Sequence, residues 1–350
     1  MKNKKQNAKI IIWIFFIALL SLIIGILLIN KNNIFYADDE NTNQVSSFEV
    51  IEPVIEEKKV KTFSGNDRPI AVMIDNVGSA RPQAGLNDAY IVYEIIVEGN
   101  QTRLMALFKG KDLKKIGPIR SSRHYFLDYA LENDAIYVHF GWSPQAQNDI
   151  SKLKVKNING MAESSKSFWR VKDKSAPHNA VTSTDKILEI AKRKGYKTTS
   201  EKESVLKYTT EEVELDSEIL ANIVTIPYSS SYKVKYEYDE ETKEYTRIYI
   251  KTIQKDSTTK EIVTTKNIII TFAKNSTLND GSKKGRQTLS NIGTLDGYYI
   301  TNGKAEKIKC YKKSRTEQTI YKDLEGNEIE VNDGNTFIQI VPTSSKVTFE

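Results

Sequence analysis

The stretch P-I-A-V-M-I, Pro69 to Ile74, narrows what this chain can fold into more than any other. Six apolar residues in succession are too few for a buried helix and show no alternation, so they describe a strand covered on both faces. Asp75-Asn76 ends the run, and V-G-S-A-R-P-Q-A-G-L follows as a Gly- and Pro-punctuated loop. Ala89 to Val97 and Leu104 to Phe108 are two further strands, with Gly99-Asn100 marking a hairpin between them. Pro118 stops local helix, and Ser121 or Ser122 caps one running to about Leu131. Ala135 to Phe140 is again a strand. Ser143-Pro144 opens a second helix with Pro at its first position, and T-S-T-D at 182–185 opens a third through Lys194. Strands and helices mixed in this way argue for an α+β or α/β core.

Beyond about Lys197 the texture changes. Apart from a brief helical signal at Ser217 to Ala221, alternation takes over: Val234, Tyr236 and Tyr238 alternate with Lys and Glu, and Tyr245 to Ile250 does the same. Asn302-Gly303 between Y-Y-I-T and K-A-E-K-I-K-C-Y is a two-residue hairpin signal. The C-terminal part is therefore expected as antiparallel sheet, packed onto the first core or completing it. Cys310 is the single cysteine, so no internal disulfide exists; its place in an alternating run marks it as a small buried apolar residue.

The first thirty residues differ from the rest. Ile10 to Ile29 is an apolar run broken only by Ser21 and Gly25, long enough to span a bilayer. Lys2, Lys4, Lys5 and Lys9 precede it without an acidic residue, which holds the N-terminus in the cytoplasm and places everything after Lys31 outside. A cleavable signal peptide is the competing reading, but the run is long for one and Phe35-Tyr36-Ala37 sets a bulky residue where a small one belongs. The expected layout is a cytoplasmic tail (1–9), an anchor (10–29), a flexible stalk (30–66), an α+β domain (67–197), a β-rich domain (198–343) and a tail (344–350). The formal charge of +6 misleads, because five of the 51 Lys and Arg residues lie at or before Lys31. The remainder is close to neutral against 45 acidic residues and offers no bulk attraction to nucleic acid.

Chemistry-bearing residues concentrate between 68 and 179. All three histidines, His124, His139 and His178, lie there with Trp142 and Trp169. Only 10 of the 51 basic residues are arginine, yet Arg68, Arg81, Arg103, Arg120, Arg123 and Arg170 fall in this region. In a lysine-rich chain, arginine points to a planar fork meeting a carboxylate or phosphate. Arg120 and Arg123 are expected at a helix start, where a cation is unfavourable and calls for an anion, either an internal carboxylate or a bound ligand. Glu94, Glu98 and Asp75 sit at strand ends, where two carboxylates can act as acid and base. Glu94 and Glu98, four apart on one strand face, lie about 13 Å from each other, too far for a glycosidase pair, although either could pair with Asp75. Ser143 lacks the surroundings of a nucleophile elbow and is expected to cap its helix. His139 is expected as a satisfied strand histidine, with a catalytic base as the sharper alternative. Arg170, His178 and Asn179 surround a polar turn suited to ligand contact or to local backbone bonding. N-D-G-S-K-K-G-R-Q, ending with Arg286 and Gln287, is a basic loop that either reaches over the same site or is solvated. No spacing fits a metal site, and no Walker or dinucleotide loop implies a cofactor.

The motifs R-P-I-A-V-M-I-D-N, A-R-P-Q-A-G-L, Y-E-I-I-V-E-G, T-R-L-M-A-L-F, I-G-P-I-R-S-S-R and A-P-H-N, in this order, with the closing G-N-T-F-I-Q-I-V-P, resemble the YerB family of bacterial envelope proteins. The resemblance covers residues 66–343. It implies a layered α+β N-terminal domain with a β-rich C-terminal domain, exported in Gram-positive bacteria. Family members are commonly lipoproteins, whereas this chain offers a helix anchor and no cysteine near it. The resemblance implies no reaction.

The functional expectation is an extracytoplasmic protein that binds an anionic envelope component: a peptidoglycan peptide, a teichoic-acid phosphate or an acidic partner segment. Arg81, Arg103, Arg120, Arg123, Arg170, His178 and Asn179 would contact the anion, with Trp142 and Trp169 stacking on a sugar or aliphatic face. The alternatives are a cell-wall hydrolase or transferase using Asp75, Glu94, Glu98 or His139, and an envelope scaffold. Nothing in the sequence sets an oligomeric state.

Overall fold

A computed structural model describes residues 60, 62–63 and 65–350. The apolar run at 10–29, the charged tail before it and most of the expected stalk lie outside these residues. Phe63, at the end of that stalk, packs its ring on Tyr90 and Tyr208, with centroids 5.1 and 5.8 Å away.

Five strands of the first half enter one sheet: β1 (Ile70–Asp75), β2 (Ile91–Ile96), β3 (Thr102–Phe108), β4 (Ile136–His139) and β5 (Asn157–Asn159). The 70–75 run is buried at every position, as a strand covered on both faces must be. β2 and β3 form the expected hairpin, with Gly99 and Asn100 both at positive φ in its turn. β1 pairs antiparallel with β3 and parallel with β4, so the sheet is mixed. The 121–131 helix begins late, at Phe126–Glu132, whereas Pro144–Lys152 starts as expected, with Ser143 Oγ accepting from Ala146 N at 3.1 Å. A third helix spans Thr184–Arg193.

The β-rich second half does not form a sheet of its own at the centre. Strand Thr336–Pro342 is buried throughout and lies between β2 and strand Asn267–Thr277, parallel to both. It joins the halves into one eleven-stranded sheet. Antiparallel pairing resumes outward through Gly293–Thr301 and Lys304–Lys312, which meet at the Asn302-Gly303 turn. A second, six-stranded sheet includes Ile223–Pro227, Lys233–Asp239 and Glu244–Tyr249. Two details differ from the sequence reading. Residues 217–221 form no helix, because Ser217 Oγ donates to Ala305 O and Leu220 bridges Lys304. The last residues are no tail, since Thr348–Phe349 pairs with Ile223–Pro227.

Strand parity divides the large sheet into two packed faces. Val72, Ile74, Val92, Leu104 and Phe337 share a cluster with Ile187 and Ile190 of the third helix and with Val224, Val234 and Tyr236 of the second sheet. Met73, Tyr93, Met105 and Ile338 face Phe126, Leu127 and Tyr129 of the first helix. Cys310 lies in this second cluster, 1% exposed, and burial pushes its thiol up to about 12.

Glu94 and Thr102 point into the first face, where a polar network bonds the two sheets. Arg247 and Glu94 are both shut off from water and pair at 2.6 Å. Thr102 Oγ1 and Tyr232 Oη each donate to Glu94 Oε1 at 2.6 Å, and Asn76 Nδ2 donates to it at 3.1 Å. Burial alone would raise the Glu94 carboxyl, but Arg247 and the two hydroxyls hold it below the usual carboxylate range. Arg247 Nε reaches Tyr236 Oη at 3.2 Å, and its Nη1 bonds Gln254 Oε1. Arg81 belongs here too: its guanidinium stacks on Tyr249 at 3.2 Å and donates to Asn76 O at 2.5 Å. Glu94 is therefore an internal partner and no acid or base.

Two outcomes follow from these enclosed groups. Arg247→Met leaves a buried carboxylate without its cation and lowers the unfolding free energy by about 3–5 kcal/mol in urea titrations, and adding Glu94→Leu recovers much of that loss. A single substitution costing under about 1 kcal/mol would mean that water reaches the pair. Cys310 stays unreactive toward a thiol-specific chromogenic disulfide in the native protein and reacts fully in denaturant.

Candidate functional site

The other face of the same sheet end carries the arginines. Asp75, the last residue of β1, stands directly opposite Arg103 of β3, and parity puts both on the side of Met73 and Met105. Asp75 is 2% exposed and Arg103 6%. Segment 117–122 runs alongside: Asp75 N donates to Pro118 O at 2.8 Å, and Arg120 N donates to Met73 O at 2.8 Å. This brings Arg120 Nε to 3.2 Å from Asp75 Oδ2. His178 reaches the same oxygen through Nδ1 at 2.7 Å. A carboxylate only accepts, so Nδ1 carries the hydrogen and Nε2 is the outward nitrogen, with no hydrogen bond among the described residues.

Arg123 Nε donates to Glu98 Oε1 at 2.6 Å and its Nη1 to Ser122 O at 2.7 Å. Arg103 makes a single hydrogen bond, Nη1 to Ser121 O at 2.6 Å, and no direct ion pair among the described residues. Burial first, then the charge of Arg123, brings its guanidinium down to about 10; Asp75 and Glu98 oppose this, and Arg120 adds to it. Burial would raise Glu98, but the bond and charge of Arg123 hold it below the usual carboxylate range. The basic loop does reach this edge: Arg286 Nε lies 4.0 Å from Glu98 Oε1, and Arg286 Nη1 pairs with Asp280 at 2.5 Å. Asp280 Oδ2 also accepts from Gln145 Nε2 at 3.1 Å.

Arg120 and Arg123 are not at a helix start. The helix begins at Phe126 behind Tyr125; Arg123 stands in the turn just before it, its O accepting from Phe126 N at 3.1 Å, and Arg120 lies three residues earlier beside β1. The like-charge repulsion the structure shows falls on Arg103, from Arg123 and Arg120. Glu94 and Glu98 do not share a strand face either, because β2 ends at Ile96 and Glu98 sits in the following turn. Glu94 and Asp75 lie on opposite faces of the sheet, so they cannot act on one bond.

The remaining candidates hold structure. His139 is fully buried with Nδ1 2.8 Å from Gly141 O and Nε2 3.1 Å from Asn157 Oδ1, so both ring nitrogens are engaged inside the protein and neither reaches a substrate; burial lowers its pKa. Trp142 is half-exposed, its ring 5.4 Å from that of His139. Asn179 donates to Val171 O at 3.2 Å and Lys174 O at 3.0 Å and accepts from Arg170 Nη1 at 2.6 Å. Asn179 and Arg170 thus fix the loop that presents His178. The described residues contain no group of three or more His, Cys, Asp or Glu side chains arranged to hold a metal ion.

What converges is Asp75, Glu98, Arg103, Arg120, Arg123 and His178, edged by Arg286. Both carboxylates are committed to cations, whereas the terminal nitrogens of Arg120, much of Arg103 and His178 Nε2 are not. Such a set donates charge-assisted hydrogen bonds. Arg247 escaped the sequence reading although a signal existed: it is in phase with Tyr245 and Tyr249, an arginine on the apolar side of a strand. Asp280 and Gln145 carried no signal.

The chain matches two family models in order. The N-terminal domain described as "Protein of unknown function (DUF3048)" covers residues 56–197, and the C-terminal domain of that description covers 224–338. A curated relative from Bacillus subtilis (strain 168), named "Putative lipoprotein YerB", is 31% identical over 283 residues, 79% of this chain and 81% of the relative. The crystal structure of the YerB protein from Bacillus subtilis superposes with a TM-score of 0.73 at 29% identity, covering 83% of this chain and 97% of that one. With both domains present in order and the mixed α+β fold shared, the chain belongs to the YerB family.

Proposed function

We propose that the chain is a membrane-tethered extracytoplasmic protein that binds an anionic component of the cell envelope through Arg103, Arg120 and Arg123, with His178 at the rim. One observation carries this reading. Arg103 is nearly buried, makes no direct ion pair among the described residues, and feels Arg123 and Arg120 against it with Asp75 and Glu98 in its favour. A cation in that position is stabilised by an arriving anion more than a solvated one would be. The apolar run at 10–29 and the lipoprotein name of the relative support a place at the membrane surface. Hydrolysis by a carboxylate pair is disfavoured, since Glu94 is enclosed in an ion pair and Asp75 and Glu98 are each held by an arginine.

Charge-assisted hydrogen bonds contribute about 1.5–3 kcal/mol each, so replacing Arg103 and Arg120 together by Gln weakens binding of purified wall fragments at least about tenfold. Isothermal titration of both proteins, with circular dichroism to show an unchanged fold, measures this. Folded double variants that bind as the wild type does would remove the site from the proposal.

A further inference from the structure

We infer that this site takes a phosphodiester monoanion, the linkage of a polyol-phosphate chain, in preference to a carboxylate; this rests on the anion-binding reading above. Charge is the first observation. The groups acting on Arg103 are Arg120 and Arg123 against Asp75 and Glu98, which with Arg103 itself leaves three cations and two anions, an excess of one. The flanking Arg286–Asp280 pair adds nothing to the total. With His178 neutral, a singly charged ligand, phosphodiester or carboxylate, neutralises the cluster, whereas a dianion leaves it negative; charge therefore selects a monoanion, and the donors select its kind.

Donor direction is the second. A carboxylate presents its acceptor lone pairs in a single plane, and one guanidinium fork matches two of them. Here the uncommitted N–H groups come from separate side chains: Arg120 uses Nε toward Asp75, Arg103 uses Nη1 on Ser121 O, and Arg123 uses Nε and Nη1, leaving its Nη2. Donors arriving from several side chains suit oxygens disposed tetrahedrally around phosphorus. The third observation is the anchored imidazole. Asp75 fixes His178 Nδ1 at 2.7 Å and turns Nε2 outward on a side chain that is 23% exposed, available to a polyol hydroxyl next to the phosphate. Loop bonds from Asn179 hold that presentation.

The experiment uses the full chain in uncharged detergent micelles and three probes: glycerophosphoglycerol, D-alanyl-D-alanine and a short polyglycerol phosphate. Phosphorus NMR line broadening and titration calorimetry measure affinity, and histidine-labelled protein reports the His178 ring. The expected result is phosphodiester binding at least about tenfold tighter than the dipeptide, a shifted His178 signal, and loss of both in Arg103→Gln and Arg120→Gln. If those variants fail to fold, the wild-type ranking and the His178 shift still decide. Dipeptide binding as tight as the phosphodiester overturns the phosphodiester assignment while leaving the anion site standing. No binding of any probe overturns both. Phosphatidylglycerol added to the micelles competes as well as glycerophosphoglycerol if the source is a lipid headgroup; tighter binding of the polyglycerol phosphate assigns it to a wall polymer.

Discussion

A buried ion pair between the two halves of the chain is the constraint on which the rest of this structure turns. Glu94 comes from β2 and Arg247 from the second sheet, and both are closed to water. Charges are costly to bury unless their remaining donors and acceptors are bonded. Thr102, Tyr232, Tyr236, Asn76 and Gln254 do this, and they come from both halves. Neither half alone can satisfy these groups. The insertion of Thr336–Pro342 beside β2 has the same consequence for the backbone, since its ladder partners come from each side.

The end of β1 links this network to the arginine cluster. Asp75 and Asn76 are consecutive, so the pleat sends them to opposite faces of the sheet. Asp75 orients His178 and holds Arg120, while Asn76 bonds Glu94 and receives Arg81. The arginine side and the enclosed side thus share one backbone turn. A packed core lies beneath a cluster in which Asp75 and Glu98 hold Arg120 and Arg123 beside Arg103.

Many single elements were legible because their signals are local. The 70–75 run, the Gly99-Asn100 turn, the Ser143 cap and the Asn302-Gly303 hairpin depend on period and turn chemistry within a few residues. The arginine bias marked a stretch whose Arg103, Arg120, Arg123 and His178 meet around Asp75 and Glu98. The reasons attached to individual residues fared less well. A late helix start took Arg120 away from the helix end and left Arg123 in the turn before it, and the end of β2 at Ile96 separated Glu94 from Glu98.

By itself, then, the sequence determined the strand-rich α+β character, the turns, the buried thiol and the stretch where polar chemistry gathers, since each follows from periodicity or from one residue type in its local setting. Tertiary structure alone decided which carboxylate meets which cation. Glu94 became an enclosed structural partner and Asp75 the anchor of His178 because face parity and a strand arriving from the far end of the chain set their neighbours. Those are long-range facts, and no window of residues around Glu94 or Asp75 contains Arg247 or His178.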